Sequence, residues 1–205
     1  MDNRLIYAII TEDIPTLERL LKKRINVHVR YNGVPAIGLA VELGNKKIVK
    51  MLVQAKANIN TPFNDGKIVP LNMACYEGDI DMVKLLIDLG AEIDTDKALV
   101  SPIFSATKGG HANIIRLLVS HGANINRVIP TKQEHTYKIV GGEETTIIST
   151  NNTALHHAIY TYKIDIYDLL IELGADDTIP NSKGVTPKYL RENIVSLFTQ
   201  TQRWT

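Results

Sequence analysis

Cysteine and long apolar runs are scarce in this chain of 205 residues. Cys75 is the single cysteine, so no disulfide can form within the chain, which fits a reducing compartment. No apolar segment approaches the ~18–20 residues that span a bilayer, and the stretch 5–10 is too short for the core of a signal peptide. We therefore expect a cytoplasmic protein with no membrane partner, or one exported by a route that leaves no such signal.

An excess of either charge is also absent. The chain carries 23 basic and 22 acidic side chains, for a formal net charge of +1, and the basic residues are spread along its length. A nucleic-acid binder usually carries a clustered basic face, so we expect no nucleic-acid partner. Hydrophobic residues make up 44% of the chain, which is enough to build a continuous core.

The chain does contain an internal repeat. A short apolar patch ends in an alanine at positions 40, 74, 106 and 158, which are 34, 32 and 52 residues apart. Paired apolar residues come after each patch with the same spacings: Met51-Leu52, Leu85-Leu86, Leu117-Leu118 and Leu169-Leu170. One period near 33 residues with a single insertion explains both series, and such a period is typical of a repeat architecture.

Short motifs identify the repeat more closely. Thr153-Ala154-Leu155-His156 and Thr186-Pro187 come close to a Thr-Pro-Leu-His signature, and Asn58-Ile59-Asn60 and Asn124-Ile125-Asn126 come after the turns. In these motifs and their spacing the chain resembles the ankyrin-repeat family, whose unit is a β-turn followed by two antiparallel helices. The resemblance covers nearly the whole chain. It implies an all-α solenoid with turn fingers, because each unit must stack on its neighbours to bury its apolar face.

The same pattern predicts how one domain, 1–205, is divided. We expect an N-terminal capping repeat at 1–32 and a C-terminal capping repeat at 184–205. Four full repeats lie between them, at 33–65, 66–98, 99–126 and 152–183, with an inserted β-hairpin finger at 127–151. Leu86 occupies a paired-leucine position and should be buried between repeats. Gly90, Gly122 and Gly174 should adopt the left-handed conformation that ends a helix.

The residues that could carry chemistry are better explained as structural. His156 occupies the family's signature position, where the resemblance implies that it braces the turn by hydrogen bonding. Cys75 comes directly after Ala74 and is interpreted as a buried, inert thiol rather than a nucleophile. The histidines and the cysteine do not have the tight spacing of a zinc site. We therefore expect no catalysis, metal or cofactor.

The resemblance instead implies binding of another protein through the finger tips and the concave end of each first helix. By alignment, the expected partner-binding residues are Arg30, Tyr31, Phe63, Lys67, Tyr76, Glu77, Lys108, Tyr137 and Tyr160, with Glu42, Leu43, Asn64, Lys97 and Val100 in equivalent positions. Four aromatic residues, at 31, 63, 76 and 160, are expected to line one exposed surface. The chain alone is expected to be monomeric. The alternatives are a host-directed effector that blocks an enzyme, and a regulatory subunit that also binds a small ligand.

The insertion has the alternation of strands rather than of helices. Tyr137-Lys138-Ile139-Val140 and Thr145-Thr146-Ile147-Ile148 are rich in β-branched and aromatic residues and flank Gly141-Gly142. A four-residue loop, 141–144, would pair Val140 with Thr145 and Tyr137 with Ile148. We expect this hairpin to lengthen one finger and to touch the partner; the alternatives are that it only packs on neighbouring turns or is partly disordered.

Overall fold

The computed structural model describes residues 4–130, 133–138 and 144–195, and at 133–138, 144–148, 194 and 195 it describes the backbone alone. The described residues form successive helix–turn–helix pairs. The first helices of the pairs are α1 (Arg4–Ile10), α3 (Ala36–Glu42), α5 (Pro70–Glu77), α7 (Pro102–Gly109) and α9 (Ala154–Tyr160). The second helices are α2 (Ile14–Lys22), α4 (Lys46–Gln54), α6 (Ile80–Asp88), α8 (Ala112–Ser120) and α10 (Ile164–Glu172).

A final short helix, α11 (Pro187–Leu190), leads into a π-helical turn, Arg191–Val195. Thr186 caps α11 by accepting a hydrogen bond from the Tyr189 N–H at 3.1 Å, which fits the expected start of a last repeat here. The predicted C-terminal capping repeat, 184–205, extends beyond the described residues, which end at 195.

Local sequence explains where the helices begin. Proline supplies the first residue of α5, α7 and α11, where a missing N–H costs nothing. Three second helices are capped by a carboxylate or amide: Asp13, Asn45 and Asp79 accept hydrogen bonds from backbone N–H groups three residues later at 2.9–3.0 Å. These start signals recur along the chain, which is one reason why the helices keep the period of the sequence.

The helices stack into two layers. The first helices pack in the order α1, α3, α5, α7, α9 and α11, and the second helices pack behind them. The paired-apolar positions Leu52, Leu86, Leu118 and Leu170 are fully buried, as are the alanines at 8, 40, 106 and 158. The predicted burial of Leu86 is confirmed. Gly90, Gly122 and Gly174 have φ values of 91°, 83° and 92°, which confirms their left-handed role at helix ends.

The turns between pairs form fingers that touch one another. The first finger is a two-stranded ribbon of β1 (Arg30–Tyr31) and β2 (Val34–Pro35), and the second closes with a bridge between Phe63 and Ile68. The Val100 N–H donates to the Lys67 carbonyl at 2.9 Å, so the third finger is bound to the second. Contact between fingers holds them in one row along the edge of the first helices.

The insertion is a β-hairpin, as predicted, but its predicted register is wrong. β3 (Gln133–Lys138) pairs antiparallel with β4 (Glu144–Ser149), so that Tyr137 lies opposite Thr145, not Ile148, and Glu144 belongs to a strand. The base of the finger is held by a separate bridge between Ile129 and Asn152, which are both fully buried and lie one residue out of step with the β3–β4 register. Five residues, 139–143, lie between the two strands rather than the four that the prediction assumed, because Gly-Gly marks a turn without fixing the length of its loop. Val140, and Ile139 with it, lie outside the described residues.

Candidate functional site

Three cavities lie where the fingers meet the first helices. The first, of about 370 Å³, is lined by Ile10, Tyr31, Asn32, Val34, Leu39, Glu42 and Leu43. The second, of about 660 Å³, lies between the first and second fingers and includes Arg30, Phe63, Asp65 and Met73 in its lining. The third, of about 290 Å³, lies beside α5 and α7 and includes Lys67, Tyr76, Glu77 and Lys108.

The three cavities adjoin one another in a row, which we call the groove. The first and second cavities share Asn32 and Val34, and the second and third share Asn64, Ile68 and Met73. The groove therefore runs along one side of the molecule from the end of α1 to the end of α7. It is the side on which the sequence placed most of the candidate residues.

The third cavity gathers the largest group of those candidates. Tyr76 is 45% exposed, and the Lys108 ammonium lies 5.3 Å from the centroid of its ring, within the range of a cation–π contact. Lys67 and Glu77 are exposed beside them, and Asn64 and Val100 complete the lining. Lys97 lies outside the groove lining, and its ammonium pairs with the Glu92 carboxylate at 3.1 Å.

The Arg30 side chain uses two of its hydrogen-bond donors to hold neighbouring fingers together. Its Nη1 donates to the Gly33 carbonyl at 2.8 Å and its Nη2 to the Pro62 carbonyl at 3.0 Å, so one guanidinium joins two neighbouring fingers. A guanidinium has five N–H donors, so others remain for a partner. Tyr31, next to it, is 47% exposed and contributes to the wall of the first cavity.

Two of the four aromatic residues expected on an exposed surface are buried, so that expectation is wrong for them. Phe63 is 5% exposed, because the bridge to Ile68 folds its finger back and places the side chain inside. Tyr160 is 6% exposed, and its hydroxyl accepts a hydrogen bond from the Asn181 side-chain N–H at 3.2 Å. For Tyr137 the structure describes the backbone of β3 only.

Tyr160 is buried by a polar cluster at the base of the inserted finger, which we call the finger anchor: Ser149, Asn152, Tyr160 and Asn181. The Asn181 amide also donates to the Asn152 side-chain oxygen at 3.1 Å, and the Asn152 amide donates to the Ser149 hydroxyl at 2.8 Å. All four residues are buried. Burial and the loss of hydration raise the pKa of Tyr160, which keeps the phenol neutral.

His156 has the bracing role that the family resemblance implied. Its Nε2 lies 2.9 Å from the Val185 carbonyl, which can only accept, so Nε2 carries the proton. Its Nδ1 accepts from the Thr153 N–H at 3.1 Å, linking the start of α9 to the next finger. Burial lowers the pKa of His156 to about 4, and the hydrogen bond to Val185 opposes the shift only in part. The imidazole is therefore neutral at pH 7.

The other groups considered for chemistry are the Cys75 thiol and clusters of possible metal ligands. Cys75 is fully buried, which confirms its predicted burial, and loss of hydration raises the pKa of its thiol far above its ordinary value. Within the described part of the chain, no cluster of three His, Cys, Asp or Glu side chains could hold a metal ion. Among those same residues, no helix is long and apolar enough to cross a membrane.

Two positioning residues were not anticipated in this detail from the sequence. His111 Nε2 donates to the Tyr76 carbonyl at 2.9 Å, and Lys163, at the same repeat position one unit later, donates to the carbonyls of Lys108 and Thr107. The His111 ring lies so close to Gly78 and Gly109 that a Cβ at either would be 2.4 Å from a ring atom. Both side chains thus fix the backbone that carries the exposed residues of the third cavity. The sequence signal that could have found them is that both residues directly precede a second helix, His111 before α8 and Lys163 before α10.

Comparison with known proteins agrees with the repeat. Residues 63–129 match the family model for ankyrin repeats in three copies. An ankyrin repeat protein of Acanthamoeba polyphaga mimivirus is 28% identical over 207 residues, which cover 94% of this chain and 24% of that protein. Human ankyrin repeat and SOCS box protein 11 is 30% identical over 106 residues, covering 52% of this chain and 31% of that protein. The matches thus span only about a quarter to a third of these relatives.

A solved structure extends the agreement to the fold. The crystal structure of an ankyrin repeat domain from Acinetobacter baumannii AYE superposes with a TM-score of 0.72 at 22% identity. The superposition covers 94% of this chain and 91% of that one. The all-α repeat architecture expected from the sequence is therefore confirmed by an independent structure.

Proposed function

We propose that this chain, whose repeats are similar to those of the ankyrin-repeat family, binds another protein in the groove without catalysing a reaction. Repeats of this kind generally mediate protein–protein interaction through an extended surface along the stacked units. The observation that carries the proposal is the groove itself: three joined cavities that bring together Tyr31, Lys67, Tyr76, Glu77 and Lys108. Tyrosine and arginine are among the side chains that most often anchor a protein interface, and Tyr31, Tyr76 and Arg30 all line the groove.

The fixed backbone of the groove supports the same function. Arg30, His111 and Lys163 all use charged or polar side chains to tie one repeat's carbonyls to the next. A surface that is held in place before binding loses less conformational entropy when the partner arrives. The chemistry-bearing side chains outside the groove, Cys75 and His156, are buried and serve packing and bracing.

The test removes two exposed rings from the groove. The double variant Tyr31→Ala/Tyr76→Ala should lose capture of its partner from cell lysate, because each truncation takes away a large contact surface. Each interface aromatic of this kind contributes roughly 1–2 kcal/mol or more to binding. The matched control is Tyr7→Ala/Tyr189→Ala, which removes two exposed rings that do not line the cavities.

Capture is quantified by mass spectrometry, and folding is checked by circular dichroism and thermal melting. Loss of the partner in the groove variant, with retention in the control, supports the proposal. Equal capture by both variants with intact helicity would reject the groove as the binding surface.

A further inference from the structure

The two ends of the groove differ in charge. Glu42 is the single charged residue that lines the first cavity, where Ile10, Tyr31 and Leu43 contribute exposed apolar surface. The second cavity is balanced, with Arg30 and Asp65. The third is lined by two lysines and one glutamate, Lys67, Lys108 and Glu77, and is therefore net positive. The groove thus changes from acidic and apolar to basic along its length.

The positive charge at the third cavity is available to a ligand. Neither Lys67 nor Lys108 forms an ion pair with any residue that the structure describes, although other exposed lysines do, such as Lys46 with Asp79 at 3.3 Å. The Lys108 ammonium is held over the Tyr76 ring at 5.3 Å. Glu77 can neutralise one of the two ammonium groups, so one positive charge remains to attract an anion.

The other end of the groove, at the first cavity, exposes apolar rather than basic side chains. Ile10, Tyr31 and Leu43 are 44%, 47% and 41% exposed and surround one cavity. Adjacent large apolar side chains left open to solvent around a cavity mark a docking surface rather than the scattered exposure that any protein has. An acidic group would be repelled there by Glu42, whereas an aliphatic or aromatic side chain would be desolvated favourably.

Building on the proposed function, we propose that the groove binds an extended segment of the partner protein in one direction only. That direction is set by the order of an acidic and an apolar side chain along the segment. An Asp or Glu of the segment lies at the third cavity, between Lys67 and Lys108, and an aliphatic or aromatic side chain fills the first. An extended chain suits the site because it can run along a line of three joined cavities while sending side chains into them. The charge difference between Glu42 and the lysine pair disfavours the reverse placement.

The first arm of the experiment uses a defined probe, a displayed library of random linear peptides, selected on the whole chain. Enriched peptides should share an acidic residue and, several residues away, an apolar one. On the variant Lys67→Glu/Lys108→Glu the same selection should enrich a basic residue in place of the acidic one. The control Lys183→Glu/Lys188→Glu makes the same change in charge at exposed lysines outside the groove and should select the original peptides.

The second arm measures affinity by fluorescence polarisation with one selected peptide. Reversing both groove lysines should weaken binding on the order of tenfold, since each solvent-exposed pair contributes modestly. Changing the peptide's acid to Lys should restore affinity for that variant. Leu43→Ser should reduce the preference for an apolar side chain and leave the acidic preference unchanged.

The outcomes separate this inference from the proposed function. Peptides that lack an acidic residue, or an acidic preference that persists on Lys67→Glu/Lys108→Glu, would overturn the inference. If such peptides still lost binding on Tyr31→Ala/Tyr76→Ala, groove recognition itself would stand. A library that yields no enriched peptide also overturns the proposal of an extended segment, while partner capture by the tyrosine variants tests groove binding separately.

Discussion

Tyr76 and Tyr160 occupy the same position of the repeat, two residues after Ala74 and Ala158, yet they have opposite roles. Tyr76 is 45% exposed at the third cavity, and Tyr160 is 6% exposed in the finger anchor. The difference comes from the fingers that neighbour each tyrosine. Beside Tyr76 the fingers are short and leave a cavity, whereas beside Tyr160 the base of the inserted hairpin and Asn181 fill the corresponding space.

This contrast shows how much a repeat position determines. The position sets the backbone and the direction of the side chain, because stacking keeps equivalent residues in line. The neighbouring finger sets whether the side chain is exposed, and fingers are the part of the unit that varies. The groove therefore lies in the stretch where short fingers leave the first helices open.

The largest expected effect tests whether the two regions share one core. Leu86→Ala, under the groove region, and Leu170→Ala, beside the finger anchor, should each lower the free energy of unfolding by about 2–5 kcal/mol. Both side chains are fully buried in the same position of the repeat, so the two losses should be alike. Urea unfolding followed by circular dichroism measures them. A small loss at only one position would mean that the core is not continuous.

The second effect is confined to the anchored region and depends on pH. The folded protein keeps His156 neutral down to its pKa of about 4, while in the unfolded chain the pKa is near 6.5. The unfolded state therefore binds a proton first, so this contribution to stability is fully present above pH 6.5 and is lost as the pH falls towards 4. The shift corresponds to about 3 kcal/mol at most.

The check compares wild type with His156→Gln, which removes the titrating group and leaves the other histidines unchanged. Urea unfolding between about pH 7 and pH 4 should show a steeper loss of stability in wild type than in the variant. Parallel curves for the two proteins would mean that His156 is not protected from protonation.

The smallest effect separates the two tyrosines directly. Tyr160→Phe should cost about 1 kcal/mol of stability, because the hydroxyl that accepts from Asn181 is lost inside the protein. Tyr76→Phe should leave the free energy of unfolding unchanged, because Tyr76 is exposed and its hydroxyl is not buried on folding. Thermal melting measures both, and equal effects of the two substitutions would remove the distinction between them.

The sequence predicts the fold because its signals are local and repeated. Prolines, capping residues and paired leucines recur along the chain, so a unit whose own motif is ambiguous can be aligned from its neighbours. The groove was anticipated in part: Tyr31, Lys67, Tyr76, Glu77 and Lys108 all line it. For these five residues the position in the repeat is enough to predict exposure, because the fingers beside them are short.

The remaining features depend on tertiary contacts that the repeat motif does not encode, within a finger or between units. Phe63 and Tyr160 were expected to be exposed, but one turns into its own finger and the other meets a residue 21 positions later in the chain. The hairpin register was misassigned because Gly-Gly marks a turn without fixing the length of its loop, and the first strand ends at 138 while the second begins at 144. Burial and register are thus properties of the neighbourhood, not of the motif.

Binding in the groove, and not elsewhere on the solenoid, can be tested by site-specific crosslinking. A photo-crosslinking amino acid is placed singly at Tyr31, Tyr76, Ile171 or Tyr189, because all four positions are exposed and only the first two line the groove. Irradiation in the presence of the captured partner should give covalent adducts from positions 31 and 76 and none from 171 and 189. Adducts from 171 or 189 without any from the groove would contradict groove binding.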